Sequence, residues 1–123
     1  MRVENDFLGQ VSLPDEFPFG IHTHRAMTNF AFSADHIRPD LFLALIQVKK
    51  ASAIANTAAG LIDESTGNAL RDACNEIIEH IDKFIPPLHP FQGGAGTSTN
   101  MAANELIANI ALQKMGKSFG EYE

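Results

Sequence analysis

The 123 residues carry nine Lys and Arg against fifteen Asp and Glu, a formal net charge of −6 at neutral pH. With 45% hydrophobic and 20% charged residues, that length suits a single globular domain spanning 1–123 and excludes a disordered, collagen-like or repeat chain. So acidic a chain lacks the electrostatic footprint of a protein that binds nucleic acid or an anionic membrane.

No run approaches the roughly 18 apolar residues of a membrane span. The single cysteine, Cys74, cannot form an internal disulfide, so nothing points to an oxidising compartment. The opening Met1-Arg-Val-Glu-Asn-Asp lacks the basic-then-apolar order of a signal peptide. The expected location is cytoplasmic.

In chain order, residues 1–37 are punctuated by Gly9, Pro14, Pro18 and Gly20, with phenylalanines scattered without a period. This segment reads as a long irregular leader, mostly loop, holding at most a short turn of helix near His24–Asn29. No stretch shows a convincing strand alternation. A helix is predicted over 39–60: Pro39 suits its first position, Asp40 favours the positive end of its dipole, and Gly60 suits its stop. Leu41, Leu45, Val48 and Ala55 recur at helical steps within it. Its alanine-rich half, 50–59, suits close approach to a neighbour.

A second helix is predicted from Asp63 or Ser65 to Phe84. Leu70, Ala73, Cys74, Ile77, Ile78 and Ile81 form its apolar stripe, and Pro86 and Pro87 end it. A third is predicted from Asn100 to Met115, with Leu106, Ile107, Ile110 and Ala111 inward and Gly116 as its stop. The fold class that follows is all-α: three main helices behind a long irregular N-terminal leader.

Between the second and third helices lies Leu88–Asn100, reading LHPFQGGAGTSTN. The first turn of a helix leaves N–H donors unpaired and carries partial positive charge. Gly93, Gly94 and Gly96 would let backbone approach a ligand closely, and Thr97, Ser98, Thr99 and Asn100 add three hydroxyls and an amide. Such a junction suits a small anion, a carboxylate or a phosphate. A purely structural helix cap uses the same residue types, so both readings are open on this segment alone. No Lys follows the glycines as in a Walker loop, and no strand precedes them as in a dinucleotide fingerprint.

The remaining polar candidates are weaker. His22 and His24 lack a third ligand at a suitable spacing, so no metal site and no cofactor are expected. Lys49, Lys50, Glu79 and Asp82 read as solvated helix faces, and Cys74 as a small core residue.

Taken together, the motifs resemble the N-terminal domain of the aspartase/fumarase superfamily nearly end to end. The resemblance rests on Asp6-Phe-Leu-Gly, Phe19-Gly-Ile-His-Thr-His-Arg-Ala, Thr28-Asn-Phe, Val48-Lys-Lys-Ala through Ala55-Asn, Ala73-Cys-Asn-Glu-Ile and the segment QGGAGTSTNMAANELIAN at 92–109. Gly-Ile-His-Thr-x-Arg-Ala and Gln-Gly-Gly-Ala-Gly-Thr-Ser look like the ammonia-lyase branch. The fumarase branch usually has Gln in place of His22 and a Gly-Ser-Gly-Thr-Gln form of the glycine segment. Departures fall at His24, His89 and Ala102.

The resemblance implies a carbon–nitrogen lyase that converts L-aspartate to fumarate and ammonia. It implies that Thr97 hydrogen-bonds a small dicarboxylate or amino-acid substrate, flanked by Gly96 and Ser98, with no cofactor. It also implies a homo-oligomer, a tetramer in the intact family, with active sites shared among subunits. Family members are several-fold longer, and their catalytic serine loop and central helical bundle lie beyond the matched segment. No catalytic residue is therefore expected among these 123. The expectation is an N-terminal fragment, inactive alone and prone to self-associate through uncovered apolar surface. A fumarase fragment and a non-catalytic helical interaction module are the alternatives.

Overall fold

The computed structural model describes residues 1–122. Its elements are β1 (Arg2–Asp6), β2 (Gly9–Leu13), α1 (Ile21–Asn29), α2 (Pro39–Ala58), α3 (Glu64–Glu79) and α4 (Thr97–Lys114), with a 3₁₀ turn at Ile81–Lys83. The all-α class holds, with four helices. The leader, however, is ordered: it contains a hairpin and a nine-residue helix where the sequence suggested mostly loop.

The hairpin pairs Arg2 with Leu13 through Asp6 with Gly9, joined by Phe7 and Leu8. Asp6 Oδ1 accepts the Leu8 N–H at 2.9 Å, and Gly9 supplies the positive φ of +110° that closes the turn. β1 escaped a reading based on apolar alternation because its polarity is inverted. Glu4 and Arg2 point inward while Val3 is 61% exposed. Arg2 donates to Glu4 Oε1 at 2.9 Å and to the carbonyls of Pro14, Phe17 and Phe19, so one side chain gathers the leader around itself.

α2 begins at Pro39 as predicted, and Gly60 (φ +72°) follows its end. The side facing the core differs from the residues that recur most plainly. Phe42, Ile46 and Ala53 are buried, whereas Leu41 and Val48 stand about 60% exposed and Ala55 faces solvent. Close approach to α3 comes through Gly67, where a methyl group would coincide with the side chain of Thr57.

α3 is capped by Asp63, whose Oδ1 accepts the Thr66 N–H at 2.9 Å. It stops at Glu79, five residues short of the predicted end, because the backbone tightens into the 3₁₀ turn before Pro86 can terminate it. Ala73, Cys74 and Ile77 fill the core from its apolar stripe.

α4 is the central element, packing on both α1 and α3. Leu106, Ile107, Ile110 and Ala111 are buried as predicted. So are Glu105 and Asn109, one turn apart on the side that faces the leader. Glu105 accepts the N–H groups of Gly20, His22 and Thr23 at 2.8–3.1 Å and the Thr23 hydroxyl at 2.5 Å. Glu4 Oε2 accepts the Ile21 N–H at 2.9 Å. Two carboxylates distant in sequence thus cap α1, which has no local capping side chain. Asn109 donates to Pro18 O and accepts from Gly120 N–H, tying leader and tail to the same helix. Among the described residues no helix is long and apolar enough to cross a membrane.

Candidate functional site

The glycine segment leads directly into α4, which starts at Thr97, three residues earlier than predicted. Gly96 holds the N-cap in the left-handed region (φ +65°, ψ 27°), a conformation costly for a residue with a Cβ, and offers no side-chain oxygen to cap the helix. Gln92 supplies it instead. Its Oε1 accepts the Thr99 N–H at 2.6 Å and the Thr99 hydroxyl at 2.9 Å. Asn100 N–H returns to Gly96 O. Among the described residues the N–H groups of Thr97 and Ser98 meet no acceptor, so the two free donors of the first turn are adjacent.

The four polar residues do not form one cluster. Thr97 is exposed and Ser98 half-buried, and both line a cleft of about 330 Å³ closed by the hairpin turn and by α1. Thr99 is buried on Gln92. Asn100 and Gly96 border a separate, larger hollow of about 510 Å³ walled by Leu41, Leu45 and Val48 of α2. Gly96–Ser98 is therefore a ridge between two cavities. Gly94 has an ordinary φ, and a Cβ there would meet nothing within 4 Å, so no contact inside the chain demands a glycine at that position.

Opposite Thr97 and Ser98, the cleft wall holds His22 and Arg25 of α1. Arg25 lies in the Gly-Ile-His-Thr-x-Arg-Ala motif, yet sequence reasoning gave it no role. Its partner explains its place. Nε and Nη2 grip the two oxygens of Asp6 at 2.7 and 2.8 Å, and Nη2 also reaches Gly9 O. These hydrogen bonds hold the Asp6 carboxyl below the usual carboxylate range and raise the guanidinium further. Asp6 and Arg25 stay ionised together, and Nη1 hydrogen-bonds nothing among the described residues. The cleft thus has the Arg25–Asp6 ion pair on one wall, with Nη1 of Arg25 unengaged, and two unpaired amides with two hydroxyls on the other. That donor set suits a small carboxylate.

The other sequence candidates disperse. His22 reaches the cleft, whereas His24 sits elsewhere on α1 and makes no cluster with it. Among the described residues no three His, Cys, Asp or Glu side chains gather in a way that could hold a metal ion. Cys74 is buried in the core.

A family model described as lyase matches residues 9–121. The chain belongs to the lyase family. Within it, this lyase chain is 46% identical to aspartate ammonia-lyase of Helicobacter pylori strain J99, over all of the chain and 27% of the relative. It is 45% identical to the aspartate ammonia-lyase of a Bacillus species over 99% of the chain and 26% of the relative. The Escherichia coli K12 aspartate ammonia-lyase is 41% identical over 100% of the chain and 26% of its own length.

Among solved structures, fumarate lyase:delta crystallin from Brucella melitensis superposes with a TM-score of 0.91 at 43% identity, over 99% of this chain and 28% of that one. A class II fumarase from Schistosoma mansoni superposes with a TM-score of 0.87 at 30% identity, over 95% and 25%. The lyase chain therefore spans about a quarter of the length of its relatives and resembles their N-terminal domain.

Proposed function

We propose that these residues form the N-terminal domain of a carbon–nitrogen lyase that deaminates L-aspartate to fumarate and ammonia, and that they supply part of its dicarboxylate-binding site. Thr97 is the hydrogen-bond donor to a substrate carboxylate, with Gly96 and Ser98 beside it. The observation that carries this reading is the pair of unpaired N–H groups at Thr97 and Ser98 on the mouth of a cleft whose far wall holds Arg25. Higher identity to aspartate ammonia-lyases than to the fumarase structure favours deamination over hydration.

In the reaction, a base removes a proton from the carbon next to the distal carboxylate, which takes up the charge as an enediolate-like dianion. The carbon–nitrogen bond then breaks, ammonia leaves, and the double bond of fumarate forms. The part of this chain is electrostatic: fixed donors and an N-terminal helix dipole meet the developing negative charge without reorganising. We place the base outside these residues. By itself the chain is then expected to release little or no fumarate from L-aspartate. The complete protein is proposed to be a cytoplasmic homotetramer whose subunits share sites.

The test is a chimera in which this chain replaces the matching quarter of the Escherichia coli enzyme, assayed by the ultraviolet absorbance of fumarate. The chimera should turn over L-aspartate, and Thr97→Val should lower kcat by about 100-fold or more, the usual loss on removing one such donor. An active chimera indifferent to Thr97→Val would remove the substrate role and leave QGGAGTSTN as a helix cap.

A further inference from the structure

The first turn of α4 is divided by a residue that touches neither of its free donors. Gln92 is 7% exposed and uses its amide in two directions. Oε1 takes both the N–H and the hydroxyl of Thr99, while Nε2 donates to the His89 carbonyl at 3.0 Å. The glycine segment is thereby closed at its base, from residue 92 to residue 99, leaving Gly93 (φ +86°) and Gly96 (φ +65°) to make the bends between. Four residues of that loop have no side chain beyond a methyl group, and inside it only a long Gly96 N–H to Gly93 O hydrogen bond, at 3.4 Å, adds to the closure by Gln92.

Behind Gln92 the restraint continues. His89 is 7% exposed, and its Nδ1 accepts the Phe91 N–H at 3.0 Å, so the ring proton is on Nε2 and is donated to Ser33 Oγ at 2.9 Å. Ser33 in turn donates to Asp35 Oδ2 at 2.8 Å. The turn bearing Gln92 is thus moored to the α1–α2 connection.

We propose that Gln92 is a positioning residue for the carboxylate site: by occupying the Thr99 N–H and closing the loop, it presents the Thr97 and Ser98 donors to ligand already ordered. The proposal rests on the reading of Thr97 as a ligand donor. Its physical content is entropic. A loop of small residues that must be ordered on binding subtracts that ordering from the affinity, and a loop closed beforehand does not.

Succinate, a non-reacting dicarboxylate, is titrated into the 123-residue chain while the amide resonances of Thr97 and Ser98 are followed by NMR. Gln92→Met keeps the side-chain length and removes both hydrogen-bonding atoms. It should weaken succinate about five-fold, the loss expected from ordering one or two extra groups on binding. Asp63→Ala, which removes the α3 cap far from the cleft, is the comparison. It should lower the melting temperature to a similar degree and leave succinate affinity unchanged. Equal affinity in Gln92→Met and the unaltered chain overturns the positioning role and leaves the site standing. Equal losses in Gln92→Met and Asp63→Ala also overturn it, by reducing Gln92 to general stability. Where the unaltered chain binds no succinate, the same comparison is made on succinate inhibition of the chimera, and a chimera that succinate does not inhibit overturns the site and the positioning role together.

Discussion

Cys74 shows how one residue's position sets its chemistry. It lies on the α3 stripe with Leu70, Ala73 and Ile77, and only 1% of it is exposed. Burial pushes its thiol up to about 11, partly offset by the charge of Lys50. The folded state keeps the thiol neutral, whereas an unfolded thiol ionises near pH 9. The stability that follows is complete below pH 9 and is lost as pH rises toward 11. Urea unfolding of the chain and of Cys74→Ala should therefore diverge across that window, the native chain falling faster. At about pH 8 the folded chain should resist thiol alkylation. Parallel curves for the two chains would show that Cys74 contributes nothing to the alkaline loss.

At the scale of elements, α2, α3 and α4 were legible because each carries its own signals: Pro39 and Gly60, Asp63 as a cap, and four inward residues from Leu106 to Ala111. The hairpin and α1 were not, because what holds them is long-range and charged. β1 turns Arg2 and Glu4 inward, and the cap of α1 lies more than eighty residues away in Glu105. The one local sign was the helix's single acidic residue, Glu105, one turn before Asn109 and interleaved with the apolar residues Leu106, Ile107 and Ile110. Glu105→Gln replaces one accepting oxygen with an amide N–H2 among four donors, leaving buried groups unpaired. It should cost about 3 kcal/mol in urea unfolding. Amide hydrogen exchange should also quicken at Gly20–Thr23 more than in α3. A cost below about 0.5 kcal/mol, the range of ordinary surface changes, would mean that α1 stands without its distant caps.

For the whole molecule, the site was legible as a segment but not as a place. Thr97, Ser98 and the glycines could be picked out from QGGAGTSTN, whereas the cleft needs the hairpin turn and Arg25, which only the fold brings across from α4. The same fold leaves apolar surface uncovered. Leu41 and Val48 lie on one face of α2, exposed by 59% and 61%, beside the larger hollow that they line with Leu45. Exposed apolar stripes of this kind favour association, while a net charge of −6 opposes it by repulsion that salt screens. Light scattering should thus give a mass that rises with protein concentration, and rises further in high salt. Val48→Lys separates the two forces, since it reduces the net negative charge yet places an ammonium on the stripe. If the apolar face drives association, that variant is monomeric under conditions where the parent is not. If charge alone were limiting, it would associate more strongly.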